Sequence, residues 1–368
     1  MALKFLSVFS RQISVADGEN ILANINVGII GLGHMGRLHM MNCLHMEDVK
    51  VVAAADSSER ELRKAKPLGV KNLYTDYLDL IDDSPELDAA IISLPNFLHF
   101  DGARSALESG VNVFVEKPMA TTVEECKRIV KLVKRSDKKF MVGHSLRFVD
   151  AIEKMKDSLD KGYIGKLEIA TMESIQNGPF SHGAVPRPVS EWWFDPKKAG
   201  GGVLLDLGYH LIDLFHFLVG ESQVLFSYCD HKYNLPVEDG ATVVLRSSQS
   251  DVRGVINVGW FEKTIFPKFN FRVILHGNAD YISTEELIPR NPYTYAVKEG
   301  TKNLLRRMLG KRIQFLSYTY YYRSYYKELQ HFFKCIRQDL DTSVSATDGL
   351  KTIEKIAEAY DSFGQEDN

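Results

Sequence analysis

Residues 27–36 read Val-Gly-Ile-Ile-Gly-Leu-Gly-His-Met-Gly, and few folds can use such a stretch. An apolar run ends at Ile30, and Gly31, Gly33 and Gly36 then fit G-x-G-x-x-G. The physical reading is a strand, a tight turn and the start of a helix. Gly31 permits the turn, Gly33 lets the backbone approach a pyrophosphate, and Gly36 lets the helix pack closely on the strand. His34 and Met35 fall at the helix N-terminus, where free N–H groups and the positive dipole end face a phosphate.

The motif alone is weak, since glycine-rich turns arise by chance, but its context supports it. A helix-like segment, 37–46, follows, and then a second strand, 49–55, ending at Asp56. Asp56 lies twenty residues beyond Gly36, about where a ribose-binding acid belongs in a dinucleotide site. A carboxylate there repels a 2′-phosphate, so NAD is expected over NADP; Arg60, one turn on, pulls the other way. The bland alternative is a doubly wound sheet with an empty turn.

The chain of 368 residues predicts two domains. Its net charge of −3 gives no basic bias toward nucleic acid. Four cysteines without C-x-x-C spacing point to a reducing compartment, hence the cytoplasm, and to neither a zinc site nor a disulfide framework. No run of eighteen apolar residues offers a membrane span. Residues 1–26 read as an N-terminal extension, because the apolar patch at 5–9 is too short for a secretory core.

Strands and helices alternate up to about residue 143. Strands are expected at 72–75, 87–93, 111–115 and 139–142, and helices at 57–68, 76–81, 99–109 and 122–136. That alternation is the mark of a parallel sheet with right-handed crossovers. Beyond it come a helix at 151–161, a strand at 166–174, a Pro/Gly/His loop at 177–198 and one apolar helix at 200–218. Strand-like runs at 241–247, 252–261 and 269–275 follow, and helices return from about 325 to 362. The fold class is therefore α/β: a doubly wound parallel sheet, then an α+β unit with a sheet of its own. The expected division is 27–147 for the dinucleotide-binding domain and 148–368 for the substrate domain.

Chemistry in an open parallel sheet belongs beyond the carboxyl ends of the strands. Asp56, 94–99 and 116–118 fall there. Lys117 stands between Glu116 and Pro118; it either points at a bound cofactor, favouring an oxygen that gains charge, or is a surface lysine paired with Glu116. In 200–213, three glycines open an apolar helix with Asp206, His210 and Asp213 at i, i+4 and i+7, on one face. Ionisable groups on a buried helix are either used or paired, so this is a His–Asp acid/base device or a pair stabilising an interface. Trp192-Trp193-Phe194 is a lid or a set of core-filling aromatics, and His182 is a loop residue without a clear role. The segment 290–323, rich in Lys, Arg and Tyr, suits a nucleotide, a diphosphate or an anionic membrane surface; the bland reading is a solvated helix plus a strand.

Together these motifs resemble the Gfo/Idh/MocA family of NAD(P)-dependent oxidoreductases. The carriers are 31–36, Leu94-Pro95-Asn96 with His99, Glu116-Lys117-Pro118, Gly143-His144 with Arg147-Phe148, and 200–213; the resemblance runs from about 27 to 362. It implies a Rossmann domain and a second domain with a large, mainly antiparallel open-faced sheet that makes dimer or tetramer contacts. It implies a last helix packed back near the cofactor domain. It makes Lys117, Asp206 and His210 catalytic, with Arg147 beside them at the substrate. Leu94, Pro95, Asn96, His99, Glu116 and Trp193 would line the cofactor cleft. The implied reaction moves a hydride between a secondary alcohol of a sugar or nucleotide sugar and nicotinamide, with the basic insertion favouring a diphosphate-bearing substrate. A free sugar or inositol-like polyol, an NAD-dependent glycoside hydrolase and a non-catalytic NAD(P) sensor are the alternatives.

Overall fold

The computed structural model describes residues 24–178, 190–261, 271–289, 291–314 and 320–364. His182, Arg290 and Tyr318 lie outside the described residues, as does nearly all of the N-terminal extension.

Six strands form the first sheet: β1 (Ile25–Ile30), β2 (Val49–Ala55), β3 (Asn72–Tyr74), β4 (Ala89–Ile92), β5 (Asn112–Glu116) and β6 (Phe140–Gly143). All pairs are parallel, in the order β3-β2-β1-β4-β5-β6. The order reverses between β1 and β4, which opens a crevice at their carboxyl ends. The strands are apolar along nearly their whole length because helices cover both faces. Side chains fix the helix starts. Asp76 caps Tyr77–Asp82 by accepting from the Leu78 N–H at 2.9 Å, and Thr122 caps Val123–Val133 by accepting from the Glu125 N–H at 3.2 Å.

The second sheet is built from β7 (Leu167–Ile175), β8 (Ser222–Asp230), β9 (Gly240–Ser247), β10 (Arg253–Gly259), β11 (Arg272–Gly277) and β12 (Tyr281–Ser283). Its order is β12-β11-β7-β10-β9-β8, antiparallel throughout except for the parallel β7–β10 pair. One helix face beds on this sheet: a Cβ on Gly254 of β10 would come within 2.4 Å of the Phe215 ring, so the missing side chain makes the seat for Phe215.

The single helix expected at 200–218 is interrupted. A short helix, Pro196–Ala199, stops at Gly200 (φ +86°), a π-helical turn occupies Leu204–Gly208, and an α-helix runs over Tyr209–Leu218. The first N–H groups are taken by a buried carboxylate described below, and the wider π-turn changes how Asp206 points relative to His210 and Asp213. In 290–323 no strand forms among the described residues; helix Pro292–Met308 is followed by helix Tyr322–Gln338. The last helix, Ala346–Gly364, returns to the first sheet, where the Val142 N–H of β6 donates to the Val344 carbonyl at 3.0 Å.

Candidate active site

At the carboxyl end of β1 the glycine turn has the shape a diphosphate needs. Gly31 has φ +88°, and a Cβ there would lie 2.5 Å from the Ser93 carbonyl oxygen. A Cβ on Gly36 would lie 1.7 Å from the Gly31 oxygen, so helix His34–Leu44 can sit this close only with glycine. At Gly33 a Cβ would meet nothing within 4 Å, and no side chain caps the helix among the described residues. That end of the helix, with the exposed His34 on it, has room for a phosphate. Asp56 closes the far side: one carboxylate oxygen accepts from the Leu32 N–H at 2.7 Å, the other from the Ser58 N–H at 2.8 Å. These residues fit NAD: an uncapped helix end for the pyrophosphate, and an acid at the end of β2 for the ribose.

Across the crevice, Lys117, which follows β5, reaches the π-turn. Its Nζ donates to Asp206 Oδ1 at 2.7 Å and to the Asp206 carbonyl at 3.1 Å, and Trp260 Nε1 donates to Asp206 Oδ2 at 3.2 Å. His210 lies one turn on, its ring centroid 5.1 Å from that of His144. Burial first, then the Lys117 charge and His144, push His210 well below the ordinary histidine range. The ring is therefore neutral at neutral pH, with a lone pair to take a proton. A lysine ammonium, a carboxylate that fixes it and a neutral imidazole thus lie together beyond the carboxyl end of β5. That set can hydrogen-bond a hydroxyl oxygen and remove its proton.

Residues 25–144 match the oxidoreductase family with the NAD-binding Rossmann fold (GFO_IDH_MocA), and residues 152–281 match the GFO/IDH/MocA C-terminal domain. The chain belongs to the GFO/IDH/MocA oxidoreductase family. It is 32% identical to levoglucosan dehydrogenase of Pseudarthrobacter phenanthrenivorans over 54% of this chain; that match spans only about half of the relative (52%). It is 26% identical to myo-inositol 2-dehydrogenase of Thermotoga maritima over 88% of this chain and 92% of the relative. The fold matches that of scyllo-inositol dehydrogenase from Lactobacillus casei with bound NAD(H) and scyllo-inositol, with a TM-score of 0.74, 20% identity, and 93% and 98% of the two chains covered. It also matches levoglucosan dehydrogenase in complex with NADH and L-sorbose, with a TM-score of 0.77, 21% identity, and 94% and 98% covered.

Several residues that the family resemblance assigned to ligands lie elsewhere. Arg147 is buried: Nε and Nη2 donate to the two Asp213 oxygens at 2.6 and 2.5 Å, Nη1 donates to the Ser343 carbonyl at 2.9 Å, and the guanidinium lies over Phe217. Its donors are used inside the protein. Although burial opposes ionisation, Arg147 and His144 hold the Asp213 carboxyl well below its usual range, and His144 Nδ1 is 2.9 Å from Asp213 Oδ2. Asp213 therefore orients His144 and Arg147, and shares no hydrogen bond with His210. His99 is buried behind the crevice, with Nδ1 2.6 Å from the Pro118 carbonyl and Nε2 2.7 Å from the Leu94 carbonyl, so it clamps two loops together. Glu116 turns inward to His39 Nε2 at 2.6 Å. It lies beside the fully buried Glu328, whose carboxyl is pushed well up by burial and by the Glu116 charge. The donor atoms of His39, Glu116 and Glu328 lie within 4.8 Å of one another, a grouping that sequence spacing does not reveal.

Leu94, Pro95 and Asn96 remain at the crevice, partly exposed, with the Asn96 amide donating to the Ala199 carbonyl at 3.0 Å. Trp193 stacks on Trp192 at 5.1 Å, and Trp192 meets the edge of Phe97 beside the same loop. Two further acids shape the site without a motif to announce them. Glu238 takes the N–H groups of Gly202 (2.9 and 3.0 Å) and Leu204 (3.0 Å) and the Tyr360 hydroxyl (2.7 Å), capping the helix that carries Asp206 and His210 from inside. Glu61 accepts from Arg37 (2.5 Å), Arg60 (3.2 Å) and Lys64 (2.7 Å).

Proposed function

We propose that the protein is an NAD-dependent dehydrogenase that oxidises a secondary alcohol of a free sugar or cyclic polyol, and reduces the ketone in the reverse direction. The observation that carries this reading is the Lys117–Asp206 bond beside a neutral His210 at the carboxyl end of the parallel sheet. NAD, when bound, supplies the hydride acceptor. The Lys117 ammonium donates to the substrate oxygen and favours it as it gains charge. His210 accepts the hydroxyl proton, and Asp206 holds Lys117 in place while itself held by Trp260.

A nucleotide-sugar substrate is favoured only by the basic segment, which could hold a diphosphate. Arg312 instead donates to the Leu44 and Met46 carbonyls. Those carbonyls lie at the far end of helix His34–Leu44, about 16 Å from the glycine turn at 1.5 Å per residue. The relatives' names, levoglucosan and myo-inositol dehydrogenase, favour the uncharged class. Asp56, together with the cations gathered by Glu61, favours NAD over NADP. The catalytic roles of Lys117, Asp206 and His210, a domain division at 147/148, a cytoplasmic setting for four free buried cysteines and a homodimer or homotetramer through the second sheet belong to the same proposal. Exposed Leu225 and Phe226 on β8 support the last.

The test is the near-ultraviolet absorbance of reduced nicotinamide on mixing protein, NAD and a panel of polyols, free sugars and nucleotide sugars. A rise with a polyol or free sugar is expected, falling by about a thousandfold in Lys117→Ala with NAD still bound. The acid limb of the pH profile should lie below the ordinary histidine value, and it should move up in Lys117→Ala, because the charge that depresses His210 is gone. Full turnover in that variant would overturn the assignment.

A further inference from the structure

Helix Pro292–Met308 is amphipathic the wrong way round. Its inward side is polar and anchored. Asn291 caps its start, Asn303 exchanges hydrogen bonds with Gln314 (3.0 Å each way), buried Glu299 holds Lys302, and the Tyr295 ring meets Tyr320 at 5.4 Å. Its outward side carries large apolar side chains near both ends, with exposed Gly300 and Thr301 between them. Tyr293 is 80% exposed, Val297 67%, Leu304 59% and Met308 75%. These four sit at i, i+4, i+11 and i+15, within one narrow stripe of a 3.6-residue helix. Exposed Leu305, Leu309 and Ile313 widen it toward its C-terminal end. A soluble surface rarely carries so long a run of large apolar side chains without using it.

The charges beside the stripe are all of one sign. Lys298 and Arg307 flank it and Lys311 follows it; none of the three is in an ion pair among the described residues. The only acid of the helix, Glu299, is turned inward. A second copy laid antiparallel on this stripe would bring Arg307 toward Lys298 of its partner, cation against cation. A nucleic acid would meet apolar side chains where phosphates need cations. An anionic bilayer satisfies both parts: the stripe enters the boundary between headgroups and acyl chains, and the flanking cations meet the headgroups.

We propose that helix Pro292–Met308 docks the protein reversibly on an anionic lipid surface, with Tyr293, Val297, Leu304 and Met308 inserted and Lys298, Arg307 and Lys311 on the headgroups. The loop that follows the helix is tied through Arg312 to the Leu44 and Met46 carbonyls, beyond the C-terminal end of helix His34–Leu44. The claim is independent of the dehydrogenase reading.

The experiment is co-sedimentation of the full chain with phosphatidylcholine vesicles, with and without phosphatidylglycerol, at low and high salt. Binding to the anionic vesicles is expected to exceed that to the neutral ones by at least about tenfold and to fall with salt. Leu304→Asp/Met308→Asp and, separately, Lys298→Glu/Arg307→Glu should each remove it. Both variants should keep the wild-type melting temperature and NAD affinity, which shows that they fold. Equal or absent binding to the two vesicle types overturns the proposal. So does a drop in solution mass of Leu304→Asp/Met308→Asp by light scattering, which would assign the stripe to a contact between copies.

Discussion

Two glycine-rich stretches in this chain each open a helix, and they are used in opposite ways. At residues 31–36 the helix end is uncapped and a Cβ on the middle glycine would meet open space. At residues 200–202 the helix end is filled by the protein's own Glu238 carboxylate. A Cβ on Gly202 would lie 2.1 Å from the Glu238 carbonyl oxygen, and one on Gly201 would lie 2.2 Å from the Tyr360 hydroxyl. The first stretch has room at its helix end for a ligand; the second gives its N–H groups to an internal carboxylate on the helix that carries Asp206 and His210. Glycines before a helix therefore mark a close approach, and what approaches has to be read from the space around them.

Alanine separates the two uses. Gly36→Ala should destabilise the protein by about 3 kcal/mol or more, against the usual helical gain from alanine, because its Cβ collides with the Gly31 carbonyl. Gly202→Ala should destabilise comparably and lower turnover, yet leave NAD affinity in the surviving folded protein nearly unchanged. Gly33→Ala should do the reverse. Its φ of −59° suits alanine and its Cβ has room, so stability should move by less than about 1 kcal/mol. NAD affinity should fall by about tenfold or more as the pyrophosphate meets the new methyl group. Urea melts and NAD titrations of the three variants read this directly. Unchanged NAD binding in Gly33→Ala would show that the open helix end is not where the pyrophosphate sits.

Glu238→Gln probes the second helix more gently. The amide keeps the shape but turns one acceptor into a donor that faces N–H groups, and it removes the negative charge at the helix start. Turnover should fall by about ten- to a hundredfold through displacement of Asp206 and His210. The Kd for NAD should not move. A parallel loss of NAD binding would mean that Glu238 supports the whole interdomain crevice rather than the catalytic helix alone.

This contrast also explains what was legible in the sequence. The parallel sheet could be read because its signals are local: apolar runs, turn glycines and the alternation of strands with helices. Motif and helix spacing single out Lys117, Asp206 and His210, and Lys117 does bond Asp206 and act on His210. The partners could not. Glu238 reaches the catalytic helix from more than thirty residues downstream, and Arg147 takes Asp213 from 66 residues upstream. The π-turn that separates the directions of Asp206 and Asp213 leaves no trace in composition. His99 and Glu116 sit in motif positions but point inward, since a motif fixes the backbone's place and not which side of it a polar group faces.

The smallest expected effect sharpens the first region. On the proposed reading Asp56 repels a 2′-phosphate, whereas Arg37, Arg60 and Lys64, all held by Glu61, could bind one if freed. Glu61 prevents this by accepting from all three with one largely buried carboxylate. Glu61→Ala releases them without touching the glycine turn or the catalytic set. Partly exposed cations are screened, so the gain is modest: NADP affinity should rise by several-fold to about tenfold, while NAD affinity stays within about twofold. Titration of both cofactors at low and moderate salt is the measurement, with the NADP gain shrinking as salt rises. No gain at low salt would leave Asp56 alone as the reader of the ribose. A fall in NAD affinity instead would mean that Glu61, through Arg37 and its hydrogen bond to the Leu32 carbonyl at 3.0 Å, holds the glycine turn itself.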